Sequence, residues 1–234
     1  LRALGLTAVN SVKVNADVNP SFGGPILRDR LWFFSTARYV VQENYAAGNY
    51  INRNVPAPHY NFGLSRAAGR AGAFMIPATD AQLNTWTYDP DLAQRGYDPG
   101  RTESLNVRLT WQANPQNKIS TFFDIQRRGN AQGLSSTYMP DAVSYLVHQP
   151  AHAQVNWTSP ITNRLLAEAG AKWVGRPFGT YTTMDPRLIP VQEQSTGISY
   201  RGVPGPYHVR RADWGQMGSL KFVTGNHDMK VGFH

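Results

Sequence analysis

An all-β fold is what this chain of 234 residues predicts: the wall of an antiparallel up-and-down transmembrane β-barrel. Three observations carry that expectation. Apolar and polar residues alternate with period two in about eight separate segments, and side chains of an extended backbone point to opposite faces. Short polar turns alternate strictly with long connections between those segments. Charged residues make up only 16% of the chain while aromatics reach 12%, with 6 Trp and 11 Tyr, a balance suited to a surface that faces lipid.

The clearest pair of segments is Ser104–Gln126. Leu105, Val107, Leu109 and Trp111 share one face, with Asn106, Arg108, Thr110 and Gln112 on the other. Asn114-Pro115-Gln116-Asn117 supplies reversal chemistry, since Asn tolerates a left-handed backbone and Pro pre-sets φ. Ile119, Thr121, Phe123 and Ile125 then alternate with Ser120, Phe122, Asp124 and Gln126, with Phe122 the one residue out of pattern.

In chain order, the first strand is Ser11–Asn19, with Val12, Val14, Ala16 and Val18 against Lys13, Asn15, Asp17 and Asn19. Pro20 and Gly23-Gly24-Pro25 predict a bend or bulge there. Arg28-Asp29-Arg30 is a turn, and the second strand runs from Leu31 to about Glu43 with aromatics on both faces at Leu31-Trp32-Phe33-Phe34. Residues 44–100 read as a long irregular connection, with a short helix starting at Asp80-Ala81-Gln82-Leu83. Strands three and four are the hairpin above. Residues 129–150 read as a second long connection, followed by strand five at His152–Thr158, a turn at Ser159–Asn163 and strand six from Arg164 to about Gly175. Residues 176–211 form the third long connection; Met217–Val223 is strand seven, Thr224–Asp228 a turn, and Met229, Val231 and Phe233 begin strand eight.

If consecutive strands are antiparallel, every short turn lies at one end and every long connection at the other, the plan of outer-membrane barrels. Trp111, Trp157 and Phe222 sit near short turns, where an interfacial aromatic girdle belongs. A soluble ligand-binding barrel would show the same alternation with its faces inverted, Leu105, Val107, Leu109 and Trp111 lying inside. A complete eight-stranded membrane barrel, structural or adhesive, would pair strand one near Val14 with strand eight near Val231.

Other chemistry is poorly supported. The net charge of +8 comes from 23 scattered Lys and Arg, without the basic tract or recognition helix of a nucleic-acid binder. With 0 Cys there is no disulfide scaffold and no thiolate metal site. His148 and His152 flank Pro150, so no helix presents both to a metal, and they read as a solvated loop pair. His227-Asp228 reads as a turn. Gly69-Arg70-Ala71-Gly72 lacks the spacing of a phosphate cradle, no GxSxG elbow occurs, and the sequon Asn156-Trp157-Thr158 falls inside a strand. Asp17, Asp124 and Glu168 are expected on a wet wall among Lys13, Arg108, Lys172, Lys221 and Lys230, holding the lumen hydrated rather than serving as catalytic acids. No enzyme, cofactor or metal site is expected. Tyr45, Tyr50, Tyr60, Tyr88, Tyr97, Tyr181 and Tyr207 are expected in loops at the external mouth, where they would meet a sugar, peptide or siderophore-class ligand. The substrate-binding residues stay open.

Three stretches resemble a known family. Ser21–Phe34, reading SFGGPILRDRLWFF, resembles the "GGP-basic-D-basic-LFFF" segment that opens the barrel of Oar-like TonB-dependent transporters, outer-membrane receptors with a carboxypeptidase-regulatory-like domain. Gln154–Leu166 resembles that family's "W-T-x-P-x-x-N-x-L" hairpin, and Val223–Phe233 its "VTG-x-H-x-x-K-x-G" turn. They occur in the family's order and span almost the whole chain. The resemblance implies the cell outer membrane of a Gram-negative bacterium, lipid as a partner, and the first eight strands of a barrel of about twenty-two. It also implies uptake energised by the TonB complex acting on a plug. The chain reads as residues 1–234 of one partial barrel domain, an internal piece without signal peptide, regulatory domain or plug.

Overall fold

The computed structural model describes residues 9–58, 76–203, 205 and 207–234. Its strands are β1 (Ser11–Val18), β2 (Ser21–Leu27), β3 (Leu31–Asn52), β4 (Pro90–Gln112), β5 (Lys118–Gln132), β6 (Ser144–His148), β7 (Ala151–Thr162), β8 (Leu165–Gly175), β9 (Phe178–Tyr181), β10 (Val191–Gln192), β11 (Ser199–Tyr200), β12 (His208–Val209), β13 (Ala212–Thr224) and β14 (His227–Phe233). One short helix, α1, covers Asp80–Asn84, where Thr79 and Gln82 form a capping box.

Twelve of these strands make one antiparallel sheet, and they reduce to eight strand positions in sequence order. Both β1 and β2 pair with β3, so they are one edge strand broken at Asn19-Pro20, with Ala37 N still donating to Pro20 O at 3.0 Å. In the same way β6 and β7 both pair with β5, while β9 and β12 prolong β8 and β13. The path is then edge strand, β3, β4, β5, β7, β8, β13, β14, each antiparallel to the next. This is a meander with β1/β2 at one edge and β14 at the other, and among the described residues these two edges do not pair with each other.

Short turns close one end of the meander. At the first, Asp29 takes φ 60° and Arg30 N donates to Leu27 O. At the second, the Asn114 side chain accepts from the backbone N of Gln116 and Asn117, an Asx turn that fixes the reversal. At the third, Thr162 Oγ1 accepts from Arg164 and Leu165. At the fourth, Thr224 pairs with His227, and Gly225 takes φ 51°, which a residue with a Cβ adopts only with strain.

The strands run past the bounds that the sequence suggests. β3 continues to Asn52 and β4 begins at Pro90, so residues 44–52 and 90–100 are ladder rather than loop. β5 extends to Gln132, and residues 144–148 and 178–181 continue the sheet inside the second and third long connections. Strand five also extends to Thr162, into the expected turn, with a bulge at Ile161 between the Pro160–Leu166 and Thr162–Leu165 pairs. Glycine and proline do not end the strands here. Pro90 and Pro99 sit within β4, while Gly48, Gly96 and Gly100 serve the β3–β4 ribbon.

Candidate functional site

Register fixes which side chains share each face. Trp111 pairs with Leu31 and with Ile119, Ile119 with Trp157, and Trp157 with Ala169, forming a row across four strand boundaries. Parallel rows contain Leu109 with Phe33, Val107 with Phe123, and Leu105 with Ile125. On β13 and β14 the same face carries Leu220 against Val231 and Phe222 against Met229. This apolar face is not a core. Leu105 is 44% exposed, Leu109 37%, Trp111 46% and Val231 71%.

Aromatic rows bound the apolar face at both ends. Leu31, Trp111, Trp157 and Phe222 lie at the turn end. At the other end Trp173 pairs with Trp214, their rings 6.3 Å apart, and Tyr39 pairs with Glu103, which pairs with Arg127. The turn-end belt is legible in sequence; the Trp173–Trp214 pair requires register. From Trp214 to Phe222 the run matches the roughly 9–11 residues a tilted strand needs to cross a bilayer.

The opposite face is wet. Asn106 Nδ2 donates to Asp124 at 2.9 Å, Gln126 Nε2 to the other Asp124 oxygen at 2.8 Å, and Thr36 is bonded to Asn106. Arg38 is paired with Asp17 at 2.6 Å, Lys230 with Glu168 at 2.9 Å and Lys221 with Asp228 at 2.9 Å. Asp17, Asp124 and Glu168 are therefore each engaged by neighbours on that face. Lys13 departs from the expectation. Lys13 and Val14 together oppose Glu43, a bulge that turns Lys13 to the apolar side, where it pairs with Glu43 at 2.8 Å and lies 3.2 Å from the Tyr97 ring centre. Phe122, anomalous in sequence, packs edge-on against His152 at 5.5 Å.

At the loop end the wet face opens into a polar cavity of about 570 Å³ lined by Asn15, Arg38, Gln42, Asp98 and Arg128 among others. Burial pushes the Asp98 carboxyl up, although it accepts from Ala131 N at 3.0 Å.

The three long connections pack on one another, and Arg201, Met139, Met184 and Val143 are almost completely buried among them. Met184, Leu188, Val55 and Ala78 form a cluster drawn from the first and third connections. Arg201, 1% exposed, ties all three together. Its guanidinium donates to Gln82 O at 2.8 Å and to the carbonyls of Leu83 and Thr85, satisfying orphan acceptors at the end of α1. It also lies 4.5 Å from the Trp86 ring, and its backbone N donates to Asp141 in the second connection at 2.9 Å. Asp141 accepts from Asn52 Nδ2 as well, and burial pushes its carboxyl up. Asp185 accepts from Ala78 N, and the Arg187 guanidinium beside it holds its carboxyl well below the usual range.

The expected mouth tyrosines divide. Tyr45, Tyr50, Tyr97 and Tyr181 lie in strands, not loops. Tyr88 and Tyr207 lie between strands; Tyr88 donates to Tyr50 O at 3.0 Å, and burial pushes its hydroxyl up to about 12. Tyr60 and Gly69-Arg70-Ala71-Gly72 fall outside the described residues. His148 and His152 are strand residues rather than a solvated loop pair, His148 stacked on Phe178 at 5.5 Å.

No family model, curated protein or solved structure matches this chain.

Proposed function

We propose that this chain is part of the barrel wall of a TonB-dependent outer-membrane transporter that takes up a small ligand. The observation that carries the reading is the inversion of burial. Large apolar side chains stand outward on the sheet, mostly polar ones line the opposite face, with Trp32, Phe34 and Phe122 as exceptions, and a buried cluster joins the first and third connections. Water would penalise that apolar face at about 25 cal/mol per Å², whereas lipid removes the penalty. Inter-strand hydrogen bonding meets the demand of hydrocarbon that backbone polar groups be paired. The edges β1/β2 and β14 leave ladders open to further strands, as a wall within a larger barrel requires. The outer membrane, the TonB partner and the plug follow from the resemblance of the three stretches quoted above.

A complete eight-stranded barrel is disfavoured because β1 and β14 are the two edges of the sheet. A soluble barrel is disfavoured because Leu105, Leu109 and Trp111 are exposed. Nitroxide scanning in lipid vesicles tests the reading, and the chain, with 0 Cys, offers a clean background for single cysteines. Labels at Leu109, Val155 and Leu220 should be accessible to oxygen and shielded from a water-soluble nickel complex. Labels at Thr110 and Gln154 should show the reverse. Nickel access at all five positions would remove the membrane assignment.

A further inference from the structure

Strands β7, β8 and β13 are each interrupted at one level of the wet face, at Gln149-Pro150, Arg176-Pro177 and Arg210-Arg211. The break remains hydrogen-bonded. Gln126 N donates to Pro150 O, Gln149 N to Pro177 O at 2.9 Å and Arg176 N to Arg211 O at 2.7 Å. It is thus a built step in the wall that opens a recess of about 280 Å³, lined by His148, Pro150, Arg176, Pro177, Phe178 and Arg211.

The lining has a specific chemistry. Phe178 and His148 lie nearly parallel, 17° between planes and 5.5 Å between centroids, and Tyr207 meets Phe178 edge-on at 6.2 Å. Phe178 and His148 thus give the recess a flat pair of near-parallel rings. The Arg211 guanidinium is 5.9 Å from the Phe178 ring centre. Arg176 holds Asp213 by an ion pair in which both side chains are more than half exposed. Because Pro150 and Pro177 have no N–H and the backbone N of Arg176 is already bonded, the donors offered to a ligand come from side chains. Two guanidinium groups beside a flat ring wall suit a group that is planar and anionic at once.

We propose that this step is a binding recess for a small planar carboxylate of the benzoate type. The ring lies along Phe178 and the carboxylate bridges Arg211 and Arg176, displacing Asp213 from Arg176. As the ligand class of a transporter, this rests on the reading above; as a binding event, it does not depend on lipid.

Asp213 makes the idea testable, because it competes with the ligand for Arg176. Calorimetric titration of the whole chain in detergent micelles should show saturable binding of benzoate, with acetate and inorganic phosphate at least about tenfold weaker. Arg211→Ala should weaken benzoate about tenfold, the scale of one charge-assisted hydrogen bond. Asp213→Asn should tighten it severalfold, a gain that misfolding does not produce. Equal binding of benzoate and acetate, tighter binding of phosphate, or an unchanged or weaker affinity in Asp213→Asn would each overturn the proposal. Failure here leaves the spin-label result standing, and failure of the spin-label result leaves benzoate binding measurable.

Discussion

Replacing Arg201 with alanine should loosen the first long connection from the third while leaving the sheet, and the bond from the backbone N of residue 201 to Asp141, intact. The side chain donates to the carbonyls of Gln82, Leu83 and Thr85, and it stacks on Trp86. A hydrogen bond from a charged donor contributes about 1.5–3 kcal/mol, and acceptors left unsatisfied where water cannot reach cost about as much again. The three bonds share one group, so their effects do not add, and Trp86 is itself half-exposed. A loss of about 3–5 kcal/mol in the local stability of the assembly follows, within the range that breaking a buried polar network gives. Arg201 also sits at φ 76°, so Arg201→Gly removes the same contacts but relieves backbone strain of about 1 kcal/mol. Native-state hydrogen exchange separates the regions, since local openings report their own free energies. In Arg201→Ala the amide of Leu83, bonded to Thr79 O at 2.9 Å, should exchange at least a hundredfold faster. Amides of the β4–β5 ladder, such as Leu109, should be unchanged. Equal acceleration in both regions, or none at Leu83, would refute the view that Arg201 holds the connections as a unit separate from the sheet.

Acid should act at Asp185. Its carboxyl is held below the usual value first by Arg187, so its stabilising contribution is present above the unfolded value of 3.8 and is lost as pH falls below it. Exchange at Ala78 should accelerate on acidification below about pH 4, and Asp185→Asn should remove that pH dependence. Gly96→Ala should cost about 1–3 kcal/mol by overpacking, because a Cβ there would overlap the Asn49 amide and crowd Pro140, and thermal melting should register it. Under the proposed membrane assignment, Leu109→Lys should weaken insertion into vesicles by about 2–4 kcal/mol, the penalty for a lysine at mid-bilayer on a lipid face, whereas Thr110→Lys should change insertion little.

The eight strand positions were legible because alternation within each strand survives wherever one face must be apolar and the other wet. Their ends were not. Past Glu43 and before Ser104 the outer face of the sheet leaves the apolar band, and residues such as Tyr45, Tyr97, Pro99 and Gly100 no longer alternate. Period two has nothing to report there, although the ladder continues. The displacement of Lys13 was hidden for a related reason, since one bulged residue shifts the parity of every residue before it while the letters still alternate. The role of Arg201 was beyond sequence reading altogether. The carbonyls its side chain holds lie more than a hundred residues away along the chain, and an arginine before a glycine in a proline-rich stretch reads as ordinary loop.

The chain meets its environment in two ways, and the transition is sharp. Between the Leu31–Trp111 row and the Tyr39–Glu103–Arg127 row, the outward face carries apolar side chains that stay exposed and that none of the described connections covers. One row further on, Val41 is buried and Arg101 lies near the Tyr39 ring. Beyond that level Met139, Val143 and Met184 are buried almost completely, as in any water-soluble domain. A sheet in water throughout would gain from folding its connections over its apolar face, since that burial is the dominant favourable term in folding. These connections pack on one another instead, with Arg201 and Asp185 fixing them away from the band. The proposed membrane assignment supplies a different cover for the band. A bilayer bounded by the Trp111–Trp157 row on one side and the Trp173–Trp214 pair on the other would cover it without contacts from the connections.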